Sequence, residues 1–297
     1  MYSKARDVDI SLYNSVVYND NLEMVIMALS MYQKSDGGFG SNLDIDNYNP
    51  SSTVLSTSIA LDEIYKAGIR SGFNDDYFKE MVHNTYKYLF KVAKVVDNKW
   101  NPLSLSNNKY PCASWLKYTE SNVLKFRYSP TAALIGYGLA LLEETDPFYK
   151  KCFNMAKITL ETYLKLDDVS KEEIYSFNIL KDETSKITEF QDLASKVSEK
   201  LFYDAKKIVC SKDEFANSKS VLPVDVFFSY TGDNEIDRLI DENIDYLIDN
   251  IPQFKLFEPN YSWNNDEPEG ETALLKAFGT LTTKYIYIFK KFSRIEL

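Results

Sequence analysis

The chain has 297 residues, 44% of them apolar and 26% charged, a globular composition with enough apolar mass to bury a large core. Asp and Glu outnumber Lys and Arg by 44 to 34, and the formal charge of −10 excludes the cationic footprint that duplex nucleic acid or an anionic membrane surface requires. Only 10 glycines and 9 prolines punctuate the chain, too few for the turns of an all-β protein of this length.

Helical periodicity dominates in chain order. Residues 1–20 carry no apolar run of the signal-peptide kind. Helices are expected at about 21–33 and 53–68. After the start signal Asn74-Asp75-Asp76, residues Phe78, Val82, Tyr86, Leu89, Ala93 and Val96 trace one apolar face. The uncharged run from Tyr128 to Leu142, inside a helix expected over 129–145, is shorter than the roughly 20 residues of a membrane span and reads as a buried core helix. Pro147 opens a helix whose face is Phe148, Cys152, Met155, Ala156, Leu160, Tyr163 and Leu164. Further helices follow at 170–181, at Ile187, Phe190, Ala194, Val197, Leu201 and Ile208, at Ile236, Ile240, Ile244, Leu247 and Ile251, and over 270–293. The β-rich stretch Val221 to Tyr230 contains Pro223 and has no partner, so it reads as a packed loop. No low-complexity linker interrupts the chain, and the expectation is one all-α domain over 1–297. Cys112, Cys152 and Cys210 are odd in number and form no CxxC pair, which points to reduced thiols and a cytoplasmic location.

A weak internal repeat adds to this picture. Pro50-Ser51-Ser52-Thr53-Val54-Leu55, Tyr128-Ser129-Pro130-Thr131-Ala132-Ala133-Leu134 and Gly270-Glu271-Thr272-Ala273-Leu274-Leu275 each place a Thr near the start of an apolar helix. Seven residues after each Thr stands a small residue, Ala60, Gly138 or Gly279, preceded by a bulky one, Ile59, Tyr137 or Phe278. Small residues at that depth let neighbouring helices approach closely. These helices open almost without charge, whereas the helices between them carry polar faces such as Lys150-Lys151-Lys157-Glu161 and Glu189-Asp192-Lys196-Glu199. A layer buried all round beside a half-exposed layer is what two concentric rings of helices produce.

The sharpest motif is Gln33-Lys34-Ser35-Asp36-Gly37-Gly38-Phe39-Gly40, where paired glycines supply the backbone freedom of a tight helix-to-loop turn and Phe39 is a core plug. It resembles the repeat of the α/α-toroid superfamily, which includes squalene and other class II terpene cyclases and the β subunits of protein prenyltransferases. The likeness continues through Leu43-Asp44-Ile45-Asp46, Pro50-Ser51-Ser52-Thr53, Tyr110-Pro111-Cys112-Ala113-Ser114-Trp115, Tyr128-Ser129-Pro130-Thr131-Ala132-Ala133-Leu134 and Ser262-Trp263-Asn264-Asn265-Asp266. The series is similar to a bacterial group of prenyltransferase-like toroid proteins whose shared feature is architecture. The resemblance implies an α/α toroid of about five to six helical hairpins around a central funnel.

The catalytic residues of those families transfer only in part. Class II cyclases protonate their substrate with the middle Asp of a DxDD motif. Asp44-Ile45-Asp46-Asn47 would put Asp46 in the acid's place with Asp44 beside it, but the last Asp is Asn and the string lies in a loop, where capping is the commoner use of such carboxylates. Prenyltransferases hold zinc with Asp, Cys and His, whereas His83 is the chain's one histidine and no cysteine has a ligand at usable spacing, so no metal site is expected. Asp75-Asp76 and Asp167-Asp168 lack the third carboxylate of a magnesium-diphosphate motif and suit helix N-termini. Asp237, Asp241, Asp245 and Asp249 form a stripe read as a solvated acidic face. No P-loop, GxGxxG, HExxH or GxSxG occurs, and no cofactor is implied.

On the toroid reading, the starts of the inner helices and the loops before them line one mouth of the funnel. They gather Asp44, Asp46, Tyr48, Tyr110, Trp115, Tyr118, Tyr128, Trp263, Asp266, Glu269 and Glu271. Aromatic walls with convergent carboxylates suit three functions. One is an apolar or isoprenoid-like ligand, with metal-independent acid chemistry at Asp46 and Asp44 if the protein is an enzyme. A second is a saccharide, cleaved or bound by Asp46 with Asp266 or Glu271. The third is a non-catalytic scaffold for a protein partner.

Overall fold

The computed structural model describes residues 5–18, 22–217, 219–251, 263 and 268–295. Among these residues the fold is all-α, with isolated bridges and no strand. The helices are α1 (Asp7–Tyr18), α2 (Leu22–Ser30), α3 (Val54–Lys66), α4 (Asp76–Tyr88), α5 (Glu120–Phe126), α6 (Thr131–Leu141), α7 (Pro147–Tyr163), α8 (Lys171–Thr184), α9 (Gln191–Ile208), α10 (Pro223–Val226), α11 (Asn234–Asp249) and α12 (Glu269–Lys291). Their starts carry the expected caps. Asp75 accepts the Phe78 amide, Asp146 accepts the Phe148 amide ahead of Pro147, and Ser170 forms a capping box with Glu173. Each such cap contributes about 0.5–2 kcal/mol.

Three elements differ from the sequence expectation. Helix α1 was not expected, although Val8, Leu12 and Val16 recur at helical spacing and are buried. Helix α5 buries none of its residues and so has no apolar stripe to reveal it. The periodic face that begins at Phe78 does not stay helical to Val96: α4 ends at Tyr88, a wider π turn runs over Leu89–Ala93, and the chain reverses at Asp97 and Asn98, both with positive φ. The Trp100 indole donates to the Leu89 carbonyl at 2.8 Å and closes that end. The stretch around Pro223 is a packed loop carrying the single turn α10, with Val224, Val226 and Phe227 buried.

The contrast in burial is complete at α6 and not at α12, whose Glu271, Thr272 and Leu275 are exposed. Every residue of α6 from Thr131 to Leu141 is buried, and α6 packs against α3, α7 and α8. Helices α4, α7, α9 and α11 each bury one face, such as Ile236, Ile240, Ile244 and Leu247 of α11. Close approach explains the small residues. A Cβ built on Gly138 would lie 2.4 Å from Cys152 Sγ of α7, and one on Gly279 would lie 2.9 Å from Asp9 of α1. At that second contact α1 packs along α12. Arg6 donates to both carboxylate oxygens of Asp9, Thr280 donates to one of them at 3.2 Å, and Thr283 donates to the Asp9 carbonyl at 3.3 Å.

The glycine-rich turn ties three helices together. Gln33 Nε2, just past α2, donates to the Gly37 carbonyl and to the Met81 carbonyl of α4, both at 3.0 Å. Asp36 accepts the Gly38 amide at 3.0 Å and the Ser52 hydroxyl at 2.6 Å. Phe39 is fully buried, and its amide donates to Thr57 Oγ1 of α3. Gly37 has φ of 91°, and a Cβ on Gly40 would lie 2.3 Å from the Ser51 carbonyl oxygen. Any side chain there would separate the turn from the start of α3.

Candidate functional site: a cavity among five helices

Helices α3, α6, α8, α10 and α12 line one cavity of about 320 Å³. Each presents residues at helical spacing. Helix α3 contributes Leu55, Ile59, Asp62 and Lys66, so the cavity follows it from its first turn to its last, about 16 Å at 1.5 Å per residue. Helix α6 contributes Ala133 and Tyr137, α8 Lys171 and Tyr175, α10 Val224 and Asp225, and α12 Lys284, Tyr287 and Ile288, with Phe228 between α10 and α11. Apolar and aromatic walls with a few polar groups are the usual make-up of a small-molecule site, and the volume lies at the small end of the roughly 300–1,000 Å³ range.

Asp62 is the hub of the polar lining. Its Oδ1 accepts the Tyr137 hydroxyl at 2.6 Å and the Tyr175 hydroxyl, and its Oδ2 pairs with Lys66 Nζ at 2.5 Å. Burial pulls the Lys66 ammonium down, yet Asp62 and the groups around it hold it well above its ordinary range. Burial and then Asp62 push the Tyr137 and Tyr175 phenols up, so both hydroxyls stay protonated donors. Across the cavity Lys284 Nζ donates to Asp225 at 2.7 Å. Acidic Asp62, Glu172 and Asp225 thus balance basic Lys66, Lys171 and Lys284. A smaller space of about 90 Å³ between α1, α3 and α12 shares Lys66, Lys284 and Tyr287 with this cavity. Glu63 lines it, and burial pushes that carboxyl up to about 7, with Lys66 opposing and Asp62 reinforcing.

Four of the residues expected at the mouth, Tyr48, Trp115, Tyr118 and Trp263, fall beside the cavity in a second cluster built on Leu103, Cys112, Ala113, Leu116, Trp263 and Ala273. Tyr48, Trp115 and Tyr118 pack against it, and so does Leu55, which also faces the cavity. Asp46 Oδ1 accepts the Trp263 indole N–H at 2.8 Å, and Trp263 meets the Tyr48 ring edge-on. Asp44 is buried and accepts the Asp46 amide at 3.1 Å. Burial and then the Asp46 charge push its carboxyl up to about 7, against the Asp46 amide and Arg6. Tyr110 is exposed. Tyr128 packs on Phe177 and precedes Ser129 of the cavity wall. Glu271 is exposed in the first turn of α12, and Asp266 lies outside the described residues.

The cavity residues themselves were not among the sequence candidates. The available signal was the face Leu55, Ile59, Asp62, Lys66, which places an acid and a base on the inner side of a helix that opens without charge. The remaining candidates find partners within the chain. His83 Nδ1 bonds Asp146 at 2.7 Å at the α7 N-cap. Asp237 accepts the Thr231 and Gly232 amides, and Arg294 pairs with Asp241 and Asp245. Among the described residues no group of three His, Cys, Asp or Glu side chains could hold a metal ion, and no helix is long and apolar enough to cross a membrane. No protein-family model, curated protein or solved structure matches the chain.

Proposed function

We propose that the protein is a terpenoid cyclase/prenyltransferase-like α/α toroid that binds an apolar, isoprenoid-like small molecule in its central cavity. The observation that carries this reading is the single cavity shared by α3, α6, α8, α10 and α12, walled by Leu55, Ile59, Ala133, Val224, Phe228 and Ile288. Burying an apolar ligand there is favourable by about 25 cal/mol per Å², and the rings of Tyr137, Tyr175 and Tyr287 add polarisable faces. The one-sided burial of α4, α7, α9 and α11 suits an outer ring around these inner helices. The geometry favours this over a glycosidase: Asp62 and Asp225 are each engaged by a lysine, and Asp46 by an indole. The function proposed is binding. A metal-independent acid step at Asp46 and Asp44 would extend it, and would require Asp46 to release Trp263.

The test is solvent extraction of the native protein followed by mass spectrometry, with Ile59→Trp as the filled-cavity control. A near-stoichiometric apolar compound in the wild-type extract, absent from a folded Ile59→Trp variant, is the expected result. An occupant that persists in the variant at equal yield would place the ligand elsewhere and overturn the reading.

A further inference from the structure

The polar end of the cavity specifies a head group for the ligand. Lys66 of α3 and Lys284 of α12 come from different helices, yet both line the central cavity and the smaller space beside it. They are close enough to feel each other: burial and, less strongly, the Lys66 charge pull Lys284 down, and Asp225 together with Tyr285 more than offsets both. An ammonium has three N–H donors. Among the described residues Lys66 uses one on Asp62 and Lys284 one on Asp225. Asp62 already accepts from two phenols and an ammonium. What remains at this end is donor capacity from two cations, and the group that matches it is an acceptor with two oxygens.

We propose that this end of the cavity binds the carboxylate of an amphiphilic monoacid, one oxygen to Lys66 and the other to Lys284, with the apolar chain along Ile59, Ala133 and Ile288. The proposal rests on the central cavity being the ligand site. A carboxylate taken out of water is tolerated only where charged donors receive it, and two ammonium groups supply charge-assisted bonds of that kind. The three acidic and three basic side chains of the lining balance, so a bound anion is received by the ammonium donors rather than by a net positive field; a monocarboxylate asks this of one charge and a diphosphate of several. An alcohol offers a single oxygen to two ammonium groups and forfeits the charge.

Isothermal titration of the full chain at pH 8 with geranate and with geraniol tests the assignment. Both share the isoprenoid body and differ in the head. Geranate is expected to bind at least about tenfold more tightly, a difference of about 1.4 kcal/mol. Lys284→Met should abolish that preference by weakening geranate, with geraniol titrated into the same variant as the reference for the apolar body. That variant strands Asp225, so the paired variant Lys284→Met/Asp225→Leu, which removes both charges together, provides the same readout if the single change unfolds the protein. Equal affinities in the wild type, or a geranate preference that survives in the folded variants, overturns the head-group assignment and leaves the cavity reading standing. Binding of neither compound overturns both.

Discussion

Asp44 offers a direct test of how burial sets the charge of the loop beside the cavity. The residue is 7% exposed and sits next to Asp46, whose amide its carboxyl accepts. Burial first, and then the Asp46 charge, raise it from 3.8 to about 7. A carboxyl raised on folding holds its proton more tightly in the native state. Its contribution to stability is therefore fully present below its unfolded value and is lost as pH rises through about 7. Each pH unit between the two values is worth about 1.4 kcal/mol, which sets a ceiling of about 4 kcal/mol on what ionised Asp44 removes at pH 8. Asp44→Asn keeps an oxygen for the Asp46 amide and deletes the charge. Its advantage over the wild type should grow from under about 1 kcal/mol at pH 4 to about 2–4 kcal/mol at pH 8. Urea unfolding of both proteins at pH 4, 6 and 8 measures this, and titrating groups that do not interact with Asp44 cancel in the difference. A gain independent of pH, or a variant less stable than wild type at pH 8, would refute the argument. The first would mean that folding leaves the Asp44 carboxyl at its unfolded value, and the second that the native loop holds Asp44 as a stabilised anion. The same titration bears on the acid reading of Asp44 and Asp46, because a general acid must carry its proton near neutral pH.

Two further predictions concern the frame around the cavity. Gly138→Ala should destabilise by about 1–3 kcal/mol, because its Cβ would lie 2.4 Å from Cys152 Sγ; adding Cys152→Ala should recover part of that loss, and strictly additive urea ΔΔG values would disprove the contact. Gln33→Ala removes the donor shared by the Gly37 and Met81 carbonyls and Thr85 Oγ1, and should lower unfolding stability by about 1–3 kcal/mol. A change within about 0.5 kcal/mol would show that the turn holds α4 by other means.

Periodicity reads helices well where one face is apolar and the other polar, as in α7, α9 and α11. It fails where burial is polar or absent. In α1 the buried face includes Asp9, Ser11 and Ser15, which blur the stripe of Val8, Leu12 and Val16. The end of α4 is set by two residues at positive φ and by the Trp100 indole, a long-range partner that no local window contains. The site divides in the same way. Asp46 and Trp263 stand 217 residues apart, and only a resemblance that aligns helix starts could group them in one loop cluster. Asp62 and Lys66 read locally as an ordinary i, i+4 surface pair, and Lys284 as one lysine in a long helix. Within α3 the one local hint is that Asp62 and Lys66 share a face with Leu55 and Ile59; that this face lines a cavity follows from α6, α8, α10 and α12, which complete its wall.

The placement of those charges argues for use rather than for stability alone. Ion pairs withdrawn from water are often no better than apolar residues of the same volume, and breaking one strands a buried charge at a cost of about 3–5 kcal/mol. This chain can build an apolar interior where packing is all that is needed, since α6 buries every residue and contains no charge. Yet α3, α10 and α12 line the same space with Asp62, Lys66, Asp225 and Lys284, and α6 itself sends the Tyr137 hydroxyl to Asp62. Departures from the local rule that interiors are apolar concentrate where a protein meets a ligand. Buried charges also stand elsewhere in this fold, at Asp9, Glu173, Glu183 and Asp204; what sets Asp62, Lys66, Asp225 and Lys284 apart is that three helices line one cavity with them, beside an apolar wall along α3.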